Sequence, residues 1–476
     1  MQSSKKIGLL LGPIIFFIMQ FLPITLFSEK GDAVIAVAIW MVIWWITETV
    51  NIAVTALLPL ILFPLLNVMP IADVGANYGS PIIFLFFGGF VLALALEKVK
   101  LHKRIALNII KFTGTTPNKV VLGFMLATAF MSMWISNTAA TVVMLPIAVS
   151  VIKLLMDHND GFTKGGKNFA LSIMLGIAFA ANAGGIATVI GTPPNSVLIG
   201  LLENQYNIQI SFLTWMSFGL PFSIAMVTVV YFVLVKWMFP CKEIMFTASA
   251  NLISEEVKKL GKVSKEEKRV LTIFAITVFL WITRTIINTF FPGLKLSDTV
   301  ISLIGAISLF AIPLNLKKRN FILQWSDTEK LAWGILILFG GGLALAKGMA
   351  LSGLVALITD TIAAGNFNIL TTASLLIILM LFMTELMSNV ALVAVLAPVV
   401  AGIAIGLNIP VLNLLIPVTM ASSCAFMLPM ATPPNAIVFA SGYVKVNEMV
   451  KAGIILNIIA VGLLILYYQF VIPLFF

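Results

Sequence analysis

The stretch Ser132-Met133-Trp134-Ile135-Ser136-Asn137-Thr138-Ala139-Ala140-Thr141 interrupts an apolar segment that runs from roughly 118 to 156. About 20 helical residues cross a hydrocarbon core, so this segment is too long for one crossing. Serine, asparagine and threonine are helix-capping types, and here they end one helix and begin another. The reading is a re-entrant hairpin of two half-length helices. Broken backbone at membrane depth is tolerated only where it is buried in protein or lines a wet cavity. The free N–H groups of the second half-helix carry a partial positive charge toward the turn. A second segment, roughly 368–407, is interrupted in the same way at Ser388-Asn389-Val390.

The rest of the chain agrees with a membrane setting. Of 476 residues, 60% are hydrophobic and 10% charged. Soluble domains carry about a quarter charged residues, so this chain cannot coat a water-facing surface. Its apolar runs are too long and too continuous for barrel strands, which leaves an all-α integral membrane protein. About eleven full spans are expected, near 7–27, 33–50, 51–69, 79–99, 168–190, 211–238, 269–290, 298–315, 331–350, 411–431 and 450–475, plus the two hairpins. The first apolar stretch is read as a span rather than a signal peptide, because no small-residue cleavage site follows it.

The net charge of +10 does not point to nucleic acid, because the cations lie in short connections between spans. With the N-terminus inside, the inner connections hold 25 of the 29 Lys and Arg; the other four are Lys30, Arg284, Lys295 and Lys347. That bias places the N-terminus inside and the C-terminus outside a cytoplasmic membrane. The basic segment Glu97 to Lys111, with Leu101, Ile105 and Ile109 at helical spacing, is read as a short helix in the inner interface. The hydrophilic stretch Lys242 to Arg269 is read as a solvated linker. Cys241 and Cys424 form no disulfide framework, and His102 and His158 fall in charged connections.

The chain echoes itself. Phe87-Gly88-Gly89 returns as Phe339-Gly340-Gly341, and Ser136-Asn137 as Ser388-Asn389. Thr192-Pro193-Pro194-Asn195 returns as Thr432-Pro433-Pro434-Asn435, and Trp45-Ile46-Thr47 as Trp281-Ile282-Thr283. Each unit holds an odd number of spans, so the second copy is inverted. Inverted repeats mark secondary transporters, with substrate bound between them near the midplane. Threonine followed by proline fits a helix cap and first position, so each Thr-Pro-Pro breaks a span and starts a new half-helix. Four helix N-termini around one site would hold an anion without a buried arginine. Carbonyls freed by the broken backbone suit a hard cation such as sodium. The Phe-Gly-Gly pair is read as close helix packing. Glu48 and Arg284 follow the matched Trp-Ile-Thr sequences and are read as a scaffold pair, with proton or substrate handling as the alternative. Glu385 is open between tuning cation binding and facing an aqueous vestibule.

These paired Ser-Asn and Thr-Pro-Pro motifs resemble those of the divalent anion/sodium symporter family, the INDY-type dicarboxylate transporters, over essentially the whole chain. The resemblance implies an elevator-type homodimer. Its scaffold would comprise 1–116 and, with the linker, 240–366; its moving transport part would comprise 117–239 and 367–476. It implies sodium at Ser132, Ser136, Asn137 and Gly191, and at Thr384, Met387, Asn389 and Ala431. Substrate carboxylates would meet Asn137, Thr138, Ser388 and Asn389, with Thr192 and Thr432 nearby. The family's second motif usually reads Ser-Asn-Thr, whereas this chain has Val390, so one hydroxyl is missing. The expectation is a secondary transporter of succinate-, malate-, fumarate- or 2-oxoglutarate-like anions, in contact with membrane lipid, and not an enzyme. It needs no cofactor beyond sodium as a coupling ion. The altered motif tilts the reading toward dicarboxylate exchange. Sodium symport and transport of an inorganic oxyanion are the alternatives.

Overall fold

A computed structural model describes residues 2–21, 27–114, 116–157, 164–241, 255–315, 320–365 and 367–476. His158, the first part of the linker from Lys242, and the basic run at Lys317 lie outside the described residues. Apart from one short antiparallel pair, Pro313–Asn315 with Asn320–Phe321, the regular structure is helical. Among the described residues, eight helices are long and apolar enough to cross a membrane. They are Glu29–Thr47, Ile71–Lys98, Lys164–Gly185, Phe212–Met238, Lys265–Phe290, Trp333–Leu351, Asn389–Gly406 and Val446–Leu474.

Several expected spans come out differently. The segment 51–69 is two short helices, Ile52–Thr55 and Leu58–Leu65. Asn51 caps the first by accepting from Ala53 N, and Pro59 opens the second, so the chain restarts instead of crossing in one piece. The segment 298–315 stops at Ala311, two residues before Pro313. The segment 411–431 ends its helix at Ser422. The hairpins form at the expected places, as Pro117–Ser132 with Asn137–Asp157 and Ile369–Met383 with Asn389–Gly406. Their arms are not half-length. At 16, 21, 15 and 18 residues they approach full spans, because each apolar segment holds enough chain for two long helices at about 1.5 Å per residue.

The internal echo is structural. Trp45 Nε1 donates to the carbonyl of Ile52, and Trp281 Nε1 to that of Asp298; each acceptor opens the following helix. Thr47 and Thr283 both donate to the carbonyl four residues back at 2.7 Å. The residues that follow diverge. Glu48 is an exposed helix end with φ 47°, whereas Arg284 pairs with Asp298 at 3.1 Å. The expected Glu48–Arg284 pair is therefore absent. Asp298, which opens the next helix, takes that place. The Phe-Gly-Gly echo is a packing device. A Cβ on Gly88 would overlap Ser302, and one on Gly341 would overlap the main chain of Ala56.

The segment expected at the inner interface is helical over Leu101–Thr113, with its buried apolar face on Leu101, Ala106, Leu107 and Ile110 rather than on Ile105 and Ile109. The linker's second part is not free in solvent. Arg104 holds it, donating to the Glu267 carboxylate at 2.7 Å and to the carbonyls of Leu260 and Gly261 at 3.0 Å. Lys103 adds an ion pair with Glu256 at 3.1 Å. Burial favours neutral His102, whose pKa is pushed below the usual imidazole range. Two apolar cores form. The smaller draws on residues 16–74 and 338–354 with Ala391, and the larger contains both hairpins.

Candidate functional site

The first hairpin turn is closed by Ser136, which precedes the helix Asn137–Asp157 and accepts from Ala139 N at 3.1 Å. Behind it, Ser132 Oγ lies 2.5 Å from the Asn137 amide and donates to Ala181 O at 2.8 Å. The second turn repeats this. Thr384 Oγ1 lies 2.6 Å from Asn389 Oδ1 and donates to Ser422 O at 2.8 Å. Ser388 caps that helix by position without a side-chain bond. Ser132 and Thr384 are buried, while the tips Asn137, Thr138, Ser388, Asn389 and Val390 remain partly exposed. Each turn therefore has a sealed floor and an accessible rim.

The Thr-Pro-Pro motifs start helices as expected, Pro193–Tyr206 and Pro433–Ala440, after Thr192 and Thr432. Both threonines are buried. The asparagine that ends each motif anchors the backbone just before it. Asn195 Nδ2 donates to the carbonyls of Gly185 and Thr188; Asn435 Nδ2 donates to those of Ala425 and Leu428. The four acceptors match at the motif's own spacing. Gly219 and Gly453 let the next helices approach these segments, because a Cβ on either would press on main chain at Ile186 or Phe426. Asn182 ties the repeats together, donating to Ala425 O and Thr432 Oγ1 at 3.1 Å. The helix Pro193–Tyr206 packs on Asn389–Gly406, and Pro433–Ala440 on Asn137–Asp157, so each broken helix lies against the other repeat's hairpin.

The first half-site is rich in oxygen. A Cβ on Gly185 would meet Asn137 Oδ1 at 2.5 Å, Gly191 O at 3.1 Å and Thr192 Cβ at 3.2 Å. One on Gly191 would meet Gly185 O at 2.5 Å and Ser132 O at 3.0 Å. Asn137 Oδ1 faces acceptors only. Turning the amide over would let its nitrogen donate to Gly191 O at 3.2 Å and Ala181 O at 3.3 Å. Turned that way, the Asn137 amide satisfies the carbonyls around it, and the main-chain oxygens gathered at Gly185, Gly191 and Ser132 are hard, neutral groups of the kind that suits a monovalent cation. Among the described residues, no group of three His, Cys, Asp or Glu could hold a metal. Ser132, Asn137 and Gly191 are thus brought together as the sequence predicts. Ser136 Oγ accepts from Ala139 N in the helix cap and keeps a second lone pair. Met387 and Ala431 are buried, and among the described residues neither is hydrogen-bonded to the Thr384–Asn389–Ser422 group.

Of the two readings of Glu385, the structure does not fit an aqueous vestibule. Glu385 is 3% exposed and accepts from three successive backbone N–H groups, Phe426, Met427 and Leu428, and from Asn457. A segment that leaves its helix strands its N–H groups, and the carboxylate satisfies them. Sequence reasoning did not assign Asn195 and Asn435, although both stand in the quoted echo. Asn182, Asn457, Gly219 and Gly453 carried no repeated motif to mark them.

Paired copies of a broken helix and a polar-tipped helical turn, set in an apolar helical body, are the features of a multi-pass membrane transporter. The family described as the sodium:sulfate symporter transmembrane region matches residues 3–476, and the chain belongs to this divalent anion/sodium symporter family. It is similar to the "Sodium-dependent dicarboxylate transporter SdcS" of Staphylococcus saprophyticus, 39% identical over 477 residues, covering 99% of this chain and 92% of the relative. The protein of that name from Staphylococcus aureus strain USA300 is 39% identical over 483 residues, with the same coverage. Among solved structures, the Alcanivorax borkumensis YdaH transporter superposes with a TM-score of 0.55 at 15% identity, covering 84% of this chain and 88% of that one; this likeness concerns the fold alone. The chain is a transporter of the cytoplasmic membrane and not an enzyme.

Proposed function

We propose that the protein carries C4-type dicarboxylates such as succinate, malate and fumarate into the cell, coupled to sodium. The observation that carries this is the pair of equivalent half-sites, each a partly exposed Ser-Asn tip over a sealed floor of neutral oxygens. Two tips with helix N–H groups suit two carboxylates on one small molecule. The oxygen clusters at Ser132, Asn137 and Gly191, and at Thr384 and Asn389, suit sodium, which offsets the substrate's charge at a low-dielectric midplane. Val390 alone favoured exchange. The sodium dependence in the names of the 39%-identical relatives supports symport instead.

Movement of 117–239 and 367–476 against the remaining scaffold, in a homodimer, is part of the same proposal. Small residues where the two parts touch support it, since Gly342 lies against Ala394. The test of substrate is competition in proteoliposomes under a sodium gradient. Unlabelled succinate should suppress labelled succinate uptake and sulfate should not. Sulfate competing as well as succinate would instead make this an inorganic-anion carrier.

A further inference from the structure

The two repeats treat the backbone of their broken helices differently. In the first, the turn after Lys164–Gly185 keeps main-chain bonds: Ile186 N donates to Ala183 O at 3.3 Å and Ala187 N to Gly184 O at 3.1 Å. Phe426 and Met427 are the residues 240 positions later. They donate instead to Glu385 Oε1, at 2.8 and 2.9 Å, and Leu428 N donates to Oε2 at 3.1 Å. Asn457 Nδ2 adds a fourth bond at 2.7 Å from a fully buried position. The hairpin echo pairs Glu385 with Met133, 252 positions earlier, which has no acceptor in its side chain beyond a thioether.

This difference has a chemical consequence. A coiled turn satisfies its N–H groups by consuming its own carbonyls. An outside carboxylate satisfies them and leaves those carbonyls available as hard-cation ligands. All four partners of Glu385 are neutral donors, so its charge is not cancelled by an ion pair and can attract a cation bound beside the segment. Gly453 completes the arrangement, because any side chain there would press on Phe426 and Met427.

We propose that Glu385 is a positioning residue for the second cation half-site: it holds the 424–431 segment unwound, so that main-chain oxygens not taken by Asn182 and Asn435, that of Ala431 among them, are presented to sodium. The idea rests on the sodium-coupled reading above. It makes the half-sites unequal, since the second depends on a buried carboxylate and the first on its own main chain.

The experiment is amide hydrogen exchange on the purified full-length chain, without sodium and across a sodium titration, for wild type, Glu385→Gln and Met133→Leu. In Glu385→Gln, amides 426–428 should exchange at least about tenfold faster, while 186–188 are unchanged. Protection of 426–431 by sodium should then need about tenfold more of the ion. Met133→Leu should match wild type at both segments. Wild-type exchange at 426–428, or a wild-type sodium titration, in folded Glu385→Gln would overturn the proposal. If that variant does not fold, Asn457→Ala removes one donor and should shift both readouts in the same direction by about threefold, and no shift there overturns the proposal equally. The sodium-free exchange separates the two ideas. A wild-type loop indifferent to sodium would refute sodium coupling, while the sodium-free rates still report whether Glu385 holds the segment.

Discussion

Asn137 and Asn389 occupy matching places, each amide meeting a hydroxyl five residues earlier, Ser132 or Thr384. If each also reaches a substrate carboxylate, its removal costs a hydrogen bond to a charged group, worth about 1.5–3 kcal/mol. Asn137→Ala and Asn389→Ala should each lower succinate uptake by at least about tenfold at equal amounts of folded protein, measured in proteoliposomes. Full activity in either would remove that half-site from the account. Val390 stands where a hydroxyl is missing, so Val390→Thr should lower the KM for succinate by a few-fold, the net worth of about one neutral hydrogen bond. An unchanged KM would mean that position 390 does not face substrate. These residues were legible because they recur in register. Glu385 and Arg284 were visible as charges in apolar segments, but their partners were not. Phe426 to Leu428 supply only backbone, and Asp298 is a lone acid beyond a turn, so no sequence pattern links them to the residues they serve.

Elements were read well where apolar length decided the matter and poorly where proline and asparagine did. The run 51–69 has the hydropathy of a span, yet Asn51 and Pro59 divide it. The hairpin arms were placed correctly but read too short, because a polar turn marks where a helix stops without saying how long its arms run. Close packing at the glycines gives an element-scale prediction. A Cβ on Gly341 would overlap the Ala56 main chain, which no rotamer change relieves, so Gly341→Ala should cost about 1–3 kcal/mol. Gly75 has nothing within 4 Å of its would-be Cβ, and Gly75→Ala should stabilise its helix by about 0.5–1 kcal/mol. Thermal unfolding in detergent compares them, and equal Tm values would contradict the packing. The linker latch is tested similarly. Arg104→Ala breaks a mostly buried pair and should cost about 3 kcal/mol or more. Lys98→Gln loses the more exposed pair with Asp327 and should cost under about 1 kcal/mol.

At the scale of the whole molecule, two copies of one unit interlock, each broken helix packing on the other copy's hairpin. The charge bias in the sequence predicts how the chain is oriented in the membrane. The connection carrying Lys258 and Lys259 should be cytoplasmic and Phe476 external. Cysteine labelling of intact cells checks this, and a tag at Phe476 reached only after permeabilisation would contradict it. Coupling was the least legible property, since one altered side chain, Val390, pointed to exchange while the oxygen floor pointed to sodium. The measurement that bears most directly on the account is labelled succinate uptake into proteoliposomes, either empty or preloaded with succinate, with and without an inward sodium gradient. The account predicts concentrative uptake into empty vesicles that requires the gradient. Uptake confined to preloaded vesicles and indifferent to sodium would contradict it.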